Sequence, residues 1–315
     1  MYLNATGYYI PEKRIPNEYF TEINGLTSDW IYQRTGIQTR SKATDEETID
    51  YMSIEAVKAA LPKLPYNIEE VDLIIFASYT PSDSVRTTAH VIQDEFNICK
   101  AKALYISAAC SSGINAIETV DAFFKSGKAS KALLVCSDRN SSYSHDNDPQ
   151  AGHLWGDAAT AYFFSKEKMD NKEARLVDVL SLGLGHIGKS DKSVYLDLEG
   201  DGIRMPHGKD VFINACTYIA DTTSTIMRNN GYELSDLTYF VGHQANQRIL
   251  KHVVKHLGLP QEISLSNIEE LGNTGSASSL LVFSQNYDSF KSGDLICISV
   301  FGGGYSAGAC LFCME

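Results

Sequence analysis

The segment Ser107-Ala108-Ala109-Cys110-Ser111-Ser112-Gly113 holds the side chain best suited to covalent chemistry. A β-patterned run ends there, small residues form a tight passage, and a cysteine stands at the first turn of an apolar-faced helix. Unpaired amides and the dipole at a helix N-terminus stabilise anions, so a lowered thiol pKa and a nucleophilic Cys110 are expected. The small neighbours leave room for a substrate. Cys99, Cys136, Cys216, Cys297, Cys310 and Cys313 read as structural, and seven cysteines without a repeated zinc-type spacing point to neither a disulfide framework nor a metal site. The pair Cys310 and Cys313 falls in the apolar run Ala309–Met314, a core-strand pattern and not a redox motif.

A nucleophilic thiol needs partners that move protons or hold charge. Of eight histidines, His243 sits just beyond an apolar strand ending at Val241, and residues at strand C-termini of α/β sheets face the ligand crevice. His90, His145, His186 and His207 read as surface or packed residues. In Leu271-Gly272-Asn273-Thr274-Gly275-Ser276-Ala277-Ser278, Asn273 offers a neutral donor; its other reading is a cap for the following helix. Phe301-Gly302-Gly303-Gly304-Tyr305 lacks the Gly-Lys-Ser/Thr of a nucleotide loop but lets backbone N–H groups turn toward a ligand, as an oxyanion hole requires. Gly183-Leu184-Gly185-His186-Ile187-Gly188 spells GxGxxG, yet the polar, strand-like stretch Lys189–Leu198 follows it in place of a helix, so it reads as a loop.

The elements that must position these groups alternate in α/β fashion. Strands are predicted at Val71–Ala77, Ala103–Ser107, Lys131–Cys136, Leu237–Val241 and Leu295–Val300. A helix is predicted over Ser111–Lys125, from apolar positions Ile114, Ile117, Val120 and Phe124 and the stop at Gly127. The tetrapeptide Phe-Lys-Ser-Gly occurs at Phe124 and again 166 residues later at Phe290, each time before a strand, and the same offset carries the strand at Val71 onto Leu237. Two similar halves follow, 1–168 with the cysteine and 169–315 with the histidine and asparagine, joined by the polar stretch Lys166–Lys172. The chain has 315 residues, 43% of them apolar, which excludes a disordered or fibrous protein. With 27 Lys and Arg against 39 Asp and Glu, the net charge of −12 argues against a protein that coats nucleic acid or anionic membrane. No signal-peptide pattern and no apolar run of membrane-spanning length is present, so a soluble, cytoplasmic protein is expected.

Taken together, Ala108-Ala109-Cys110, Gly242-His243-Gln244-Ala245-Asn246, Gly272-Asn273-Thr274 and Phe301-Gly302-Gly303-Gly304 closely resemble the β-ketoacyl-acyl carrier protein synthase III family of the thiolase superfamily. Tyr8-Tyr9-Ile10-Pro11, Trp30-Ile31 and Arg34-Thr35-Gly36-Ile37 extend the match over nearly the whole chain. The resemblance implies a doubly wound, five-layer αβαβα fold in a homodimer. No cofactor is implied, CoA thioesters being substrates. Cys110 would be acylated by an acyl-CoA, with the N–H groups of Cys110 and Gly303 holding the oxyanion. His243 and Asn273 would then stabilise the enolate formed as malonyl-acyl carrier protein loses CO2. By the same resemblance Trp30 and Arg34 would contact CoA, and Asn246 its pantetheine arm or a catalytic water network.

Arg248, Lys251, His252, Lys255 and His256 recur on one helical face beside His243. In so acidic a chain this stripe is either a docking site for the acidic carrier protein, with Arg248, Lys251 and Lys255 leading, or an ordinary solvated face. Two positions depart from the family pattern. Val85 stands where a bulky aromatic often closes the acyl pocket across the dimer, which implies a longer or differently shaped primer, and no arginine precedes Trp155-Gly156-Asp157. A condensing enzyme or acyltransferase of a polyketide, quinolone or resorcinol route is the alternative function. A thiolase is disfavoured because Gly302–Ser306 contains no second cysteine. A non-catalytic partner subunit is disfavoured because Cys110, His243 and Asn273 are all present.

Overall fold

The fold is taken from a computed structural model, which describes residues 1–198, 200 and 202–315. The strands in chain order are β1 (Tyr2–Tyr9), β2 (Arg14–Pro16), β3 (Thr39–Ser41), β4 (Leu73–Ala77), β5 (Lys102–Ile106), β6 (Lys131–Arg139), β7 (Asp157–Ser165), β8 (Ala174–Gly183), β9 (Tyr195–Asp197), β10 (Gly202–Arg204), β11 (Tyr239–Gly242), β12 (Leu295–Gly302) and β13 (Ser306–Met314). The α-helices are α1 (Glu18–Asn24), α2 (Ser28–Thr35), α3 (Ile49–Ala60), α4 (Thr88–Glu95), α5 (Ser112–Lys125), α6 (Ser190–Ser193), α7 (Gly208–Asn229), α8 (Gln247–His256), α9 (Ile268–Leu271) and α10 (Ser278–Asn286).

The main sheet runs β11-β12-β13-β8-β1-β7-β6-β4-β5. Its two wings are joined strand to strand by a short antiparallel contact in which Tyr2 faces Arg175 and Leu3 faces Ala174. Alternation along the strands explains the layering. On β4, Leu73, Ile75 and Ala77 join a central core, whereas Ile74 and Phe76 join an outer one. On β12, Ile296, Ile298 and Val300 enter the same central core, while Leu295, Cys297 and Phe301 enter a third. Helix α5 packs on β4 and β6 of one wing and on β8 and β13 of the other; α10 likewise touches β1 and β7 and also β11 and β12. Both therefore form the middle layer. Helices α3 and α4 cover the outside of the first wing, and α7, with α8 packed against it, covers the second. The result is an α/β thiolase-like arrangement of five layers.

Helix α10 begins at Ser278, 166 residues after α5 begins at Ser112, so the sequence offset survives as a spatial one. The edge strand β5 has no full counterpart in the second wing among the described residues, where the outer side of β11 carries one isolated bridge, Phe240 to Ser264. Two local expectations change. The stretch Lys189–Leu198, predicted as strand-like, contains the short helix α6 before β9 begins, because Ser190 Oγ turns back to bond the Gly185 carbonyl at 2.6 Å. The strand predicted at Leu237 begins at Tyr239, after a 3-10 turn over Leu234–Asp236.

Candidate active site

Parallel strands β4 and β5 end side by side, Ala77 opposite Ile106, and the chain beyond β5 turns sharply to present Cys110. Ala109 adopts φ 51°, a left-handed conformation that costs a non-glycine residue of order 1–3 kcal/mol unless its surroundings hold it. They do: Ser111 N and Ser112 N donate to the carbonyls of Ala108 and Ala109 at 3.1 Å each, and Ser112 Oγ accepts from Ala108 N at 2.8 Å. Across the wing boundary, Ser306 Oγ donates to the Ala108 carbonyl at 3.0 Å. Gly302 is needed here because a Cβ would lie 2.9 Å from Cys110 N. The glycine triplet can then bring the Gly303 N–H onto the Cys110 sulfur, where it and the Cys110 N–H favour the thiolate.

The lowered thiol pKa expected at the head of α5 is not found. Burial pushes the Cys110 thiol up to about 12, and the nearby Asp138 carboxylate adds to the rise; the Gly303 amide, the Tyr79 side chain and the residue's own amide oppose it without prevailing. Sequence could place the thiol at a helix N-terminus, but the depth of the crevice and the position of Asp138 depend on tertiary packing. Asp138 lies on β6 and is fully buried. It accepts from Ser78 Oγ at 2.8 Å, Thr80 Oγ1 at 2.8 Å and Ser276 N at 2.6 Å, among others, and ties the ends of β4 and β6 to the loop before α10.

His243 follows β11, is 4% exposed, and has its pKa lowered to about 4 by burial, so it is neutral at neutral pH. Its Nδ1 is paired with Ser278 Oγ at 2.9 Å, which leaves Nε2 for a ligand. Asn273 reaches the same crevice from the α9–α10 connection. Its Oδ1 accepts from Gly275 N at 3.1 Å, and its amide nitrogen is the group left to donate. Cys110, His243, Asn273 and Gly303 line one narrow, largely apolar cavity of about 50 Å3, with Trp155 and Phe301 among its walls. The four come from both wings.

Met205 also borders a wider cleft of about 430 Å3 lined by Trp30, Arg34, Asn246 and Arg248. The Arg34 guanidinium stacks 4.4 Å from the centre of the Trp30 ring. Asn246 is committed to backbone: its Oδ1 caps α8 by accepting from Arg248 N at 2.8 Å, and its Nδ2 donates to the Arg34 carbonyl at 3.0 Å. It therefore shapes the cleft wall and joins α8 to α2. Arg248, Lys251, His252, Lys255 and His256 are all exposed on α8, whose other face buries Ile249, Leu250, Val253 and Val254. Val85 is 87% exposed and lines none of the cavities around Cys110 within one chain.

Sequence reasoning missed several groups. Ser278 was part of the Asn273 stretch but carried no sign that it would meet His243. Tyr79 and Asn140 follow β4 and β6, the strand-end position that singled out His243, and could have been found by the same rule. His153, 2% exposed and with its pKa lowered to about 4 by burial first and by Arg40 second, sits edge-on to Trp30 at 5.6 Å between ring centres. Among the described residues no group of acidic, histidine and cysteine side chains is arranged to hold a metal ion, and no helix is long and apolar enough to cross a membrane.

Fold and site together define a thiolase-like enzyme with a cysteine, a histidine and an asparagine around one cavity. Residues 104–181 match the family described as 3-oxoacyl-[acyl-carrier-protein] synthase III, and residues 227–314 match its C-terminal region. The chain is 32% identical over 318 residues to a β-ketoacyl-[acyl-carrier-protein] synthase III of Clostridium perfringens, an alignment covering 97% of this chain and 96% of the relative. It superimposes on the crystal structure of 3-oxoacyl-[acyl-carrier-protein] synthase III from Aquifex aeolicus with a TM-score of 0.92 at 30% identity, over 99% of each chain. A priming β-ketosynthase from the R1128 polyketide pathway gives a TM-score of 0.90 at 26% identity, over 99% of this chain and 95% of that one. The chain belongs to the β-ketoacyl-acyl carrier protein synthase III family and is a condensing enzyme.

Proposed function

We propose that this enzyme condenses an acyl-CoA primer with malonyl-acyl carrier protein to start a fatty acid chain. The observation that carries the reading is the shared cavity: a thiol, a neutral imidazole, a neutral amide and a backbone N–H face one space, which borders a cleft holding the stacked Trp30 and Arg34. In the first stage the Cys110 sulfur bonds to the acyl carbonyl carbon, the carbon–sulfur bond to CoA breaks, and the thiol proton leaves with CoA as its free thiol. The amides of Cys110 and Gly303 hold the tetrahedral oxyanion. In the second stage the carbon–carbon bond to the malonyl carboxylate breaks, CO2 leaves, and the electron pair becomes an enolate held by His243 Nε2–H and the Asn273 amide. The enolate carbon attacks the acyl-Cys110 carbonyl and expels the thiolate, which regains a proton. This step requires the tautomer with the proton on Nε2, in which Nδ1 accepts from the Ser278 hydroxyl across the 2.9 Å contact.

The stage assignment separates the two halves. Residues 1–168 carry the nucleophile and 169–315 the enolate donors, a division supported by the 166-residue spacing of α5 and α10. The reading includes a homodimer, supported by the half-buried residues and open edge of β5, and a cytoplasmic location with no nucleic-acid or membrane partner. A priming role in a specialised polyketide pathway is the second reading, supported by the likeness to the R1128 enzyme.

The test is intact-mass analysis after incubation with a series of acyl-CoAs. One acyl group should add to the parent chain and none to Cys110→Ala. His243→Ala should keep acylation but lose malonyl decarboxylation by about 10²–10³-fold, the usual cost of one oxyanion donor. Equal loss of both stages would contradict the assignment.

A further inference from the structure

A second cavity of about 90 Å3 lies beside Cys110 and is bordered by Tyr79, Ala109, Trp155, Val194, Leu196 and Ile203. Cys110, Trp155, Val194 and Gly303 belong to both cavities, so this one continues past the sulfur on the side away from His243 and Asn273. On the function proposed above, the first cavity holds the enolate beside His243 and Asn273, which leaves this one for an acyl group attached to Cys110.

Tyr79 is the large side chain that β4 delivers to this space, as β5 delivers Cys110. It is held at both ends. Its backbone N donates to Asp138 Oδ1 at 3.0 Å, and its hydroxyl donates to Asn140 Oδ1 at 2.7 Å. Asn140 is itself fixed, its Nδ2 donating to the Gly156 carbonyl at 2.7 Å and the Asn273 carbonyl at 3.3 Å. The hydroxyl also packs on the turn before α10, where a Cβ on Gly275 would lie 2.7 Å from it. With its backbone fixed at Asp138, the ring cannot swing aside for a longer ligand without breaking the hydroxyl's hydrogen bond to Asn140, worth about 0.5–1.5 kcal/mol net.

We infer that Tyr79 is a specificity-determining residue whose anchored ring walls the acyl cavity and restricts the primer to short acyl groups. The inference rests on the acyl-Cys110 reading and concerns only which acyl groups fit. It adds, to the Val85 reading of a gate reaching across a dimer, a wall supplied within the chain by an aromatic two residues beyond β4.

The experiment measures Cys110 acylation rates with acetyl-, butyryl-, hexanoyl-, octanoyl- and decanoyl-CoA for the parent and for Tyr79→Phe, Tyr79→Leu and Tyr79→Ala. The parent should acylate fastest with acetyl- or butyryl-CoA. Tyr79→Ala should raise the octanoyl-to-acetyl rate ratio by tenfold or more, Tyr79→Leu should shift it the same way by less, and Tyr79→Phe should keep the parental order because the ring stays. Tyr79→Leu alone decides the matter if the alanine variant does not fold. An unchanged order in the leucine and alanine variants, or a parent that takes octanoyl-CoA as fast as acetyl-CoA, would overturn the inference while leaving Cys110 acylation intact. Absence of acylation by every thioester, in the parent as well, would instead remove the proposed function.

Discussion

Cys110 carries two opposing influences, and their balance sets how the resting enzyme behaves. The residue stands two positions before α5, where N-terminal amides favour an anion, yet burial and Asp138 hold its thiol at about 12. A raised pKa means that the protonated form persists as pH rises, so the reactive thiolate is scarce at neutral pH and increases with pH until about 12. Alkylation of Cys110 by iodoacetamide, followed by peptide mass analysis, should therefore climb roughly tenfold per pH unit from 7 to 9. A plateau near pH 7 would show that the helix N-terminus outweighs burial.

At the scale of the element, α8 has two distinct faces. Ile249, Leu250, Val253 and Val254 anchor it to the second wing, while Arg248, which lines the cleft of Trp30 and Arg34, and Lys251 and Lys255 further along the helix are exposed. In a chain of net charge −12 this is a basic stripe that begins at the cleft with Arg248. For an acidic carrier protein, Lys251→Glu with Lys255→Glu should raise KM by about tenfold, the effect of two exposed charge pairs at about 0.7 kcal/mol each. The KM for acyl-CoA should change little, and the carrier-protein effect should shrink at high salt. Equal increases for both substrates would identify the stripe as an ordinary solvated face.

At the scale of the molecule, the nine-stranded sheet ends at β5, whose outer edge pairs with no other strand among the described residues. Lys102 N donates inward to the Asp72 carbonyl at 3.1 Å, so by strand alternation the N–H of Ala103 points to the free edge. Ala103→Pro would remove that outward donor while keeping the inward ladder. If two copies join through this edge, the variant should sediment as a folded monomer, with the parent a dimer of twice its mass. A variant that remains dimeric would place the subunit interface elsewhere.

The amino-acid sequence by itself determined the strands and the helix around Cys110 and singled out the candidate reacting groups. Strands buried on both faces need unbroken apolar runs, and the helix from Ser112 to Lys125 needs its apolar spacing, so both were legible. Cys110, His243 and Asn273 stood out because each follows an element end where side chains meet a crevice. The repeat at 166 residues likewise showed in the chain before it showed as α5 and α10. Only the tertiary structure decided the rest, because each remaining property depends on neighbours distant in sequence. Asp138 sits beside Cys110 only after β4, β5 and β6 align, and Ser278 meets His243 only across the packed second wing. The thiol pKa, the neutral imidazole and the wall formed by Tyr79 arise from burial and contact, which no local pattern encodes.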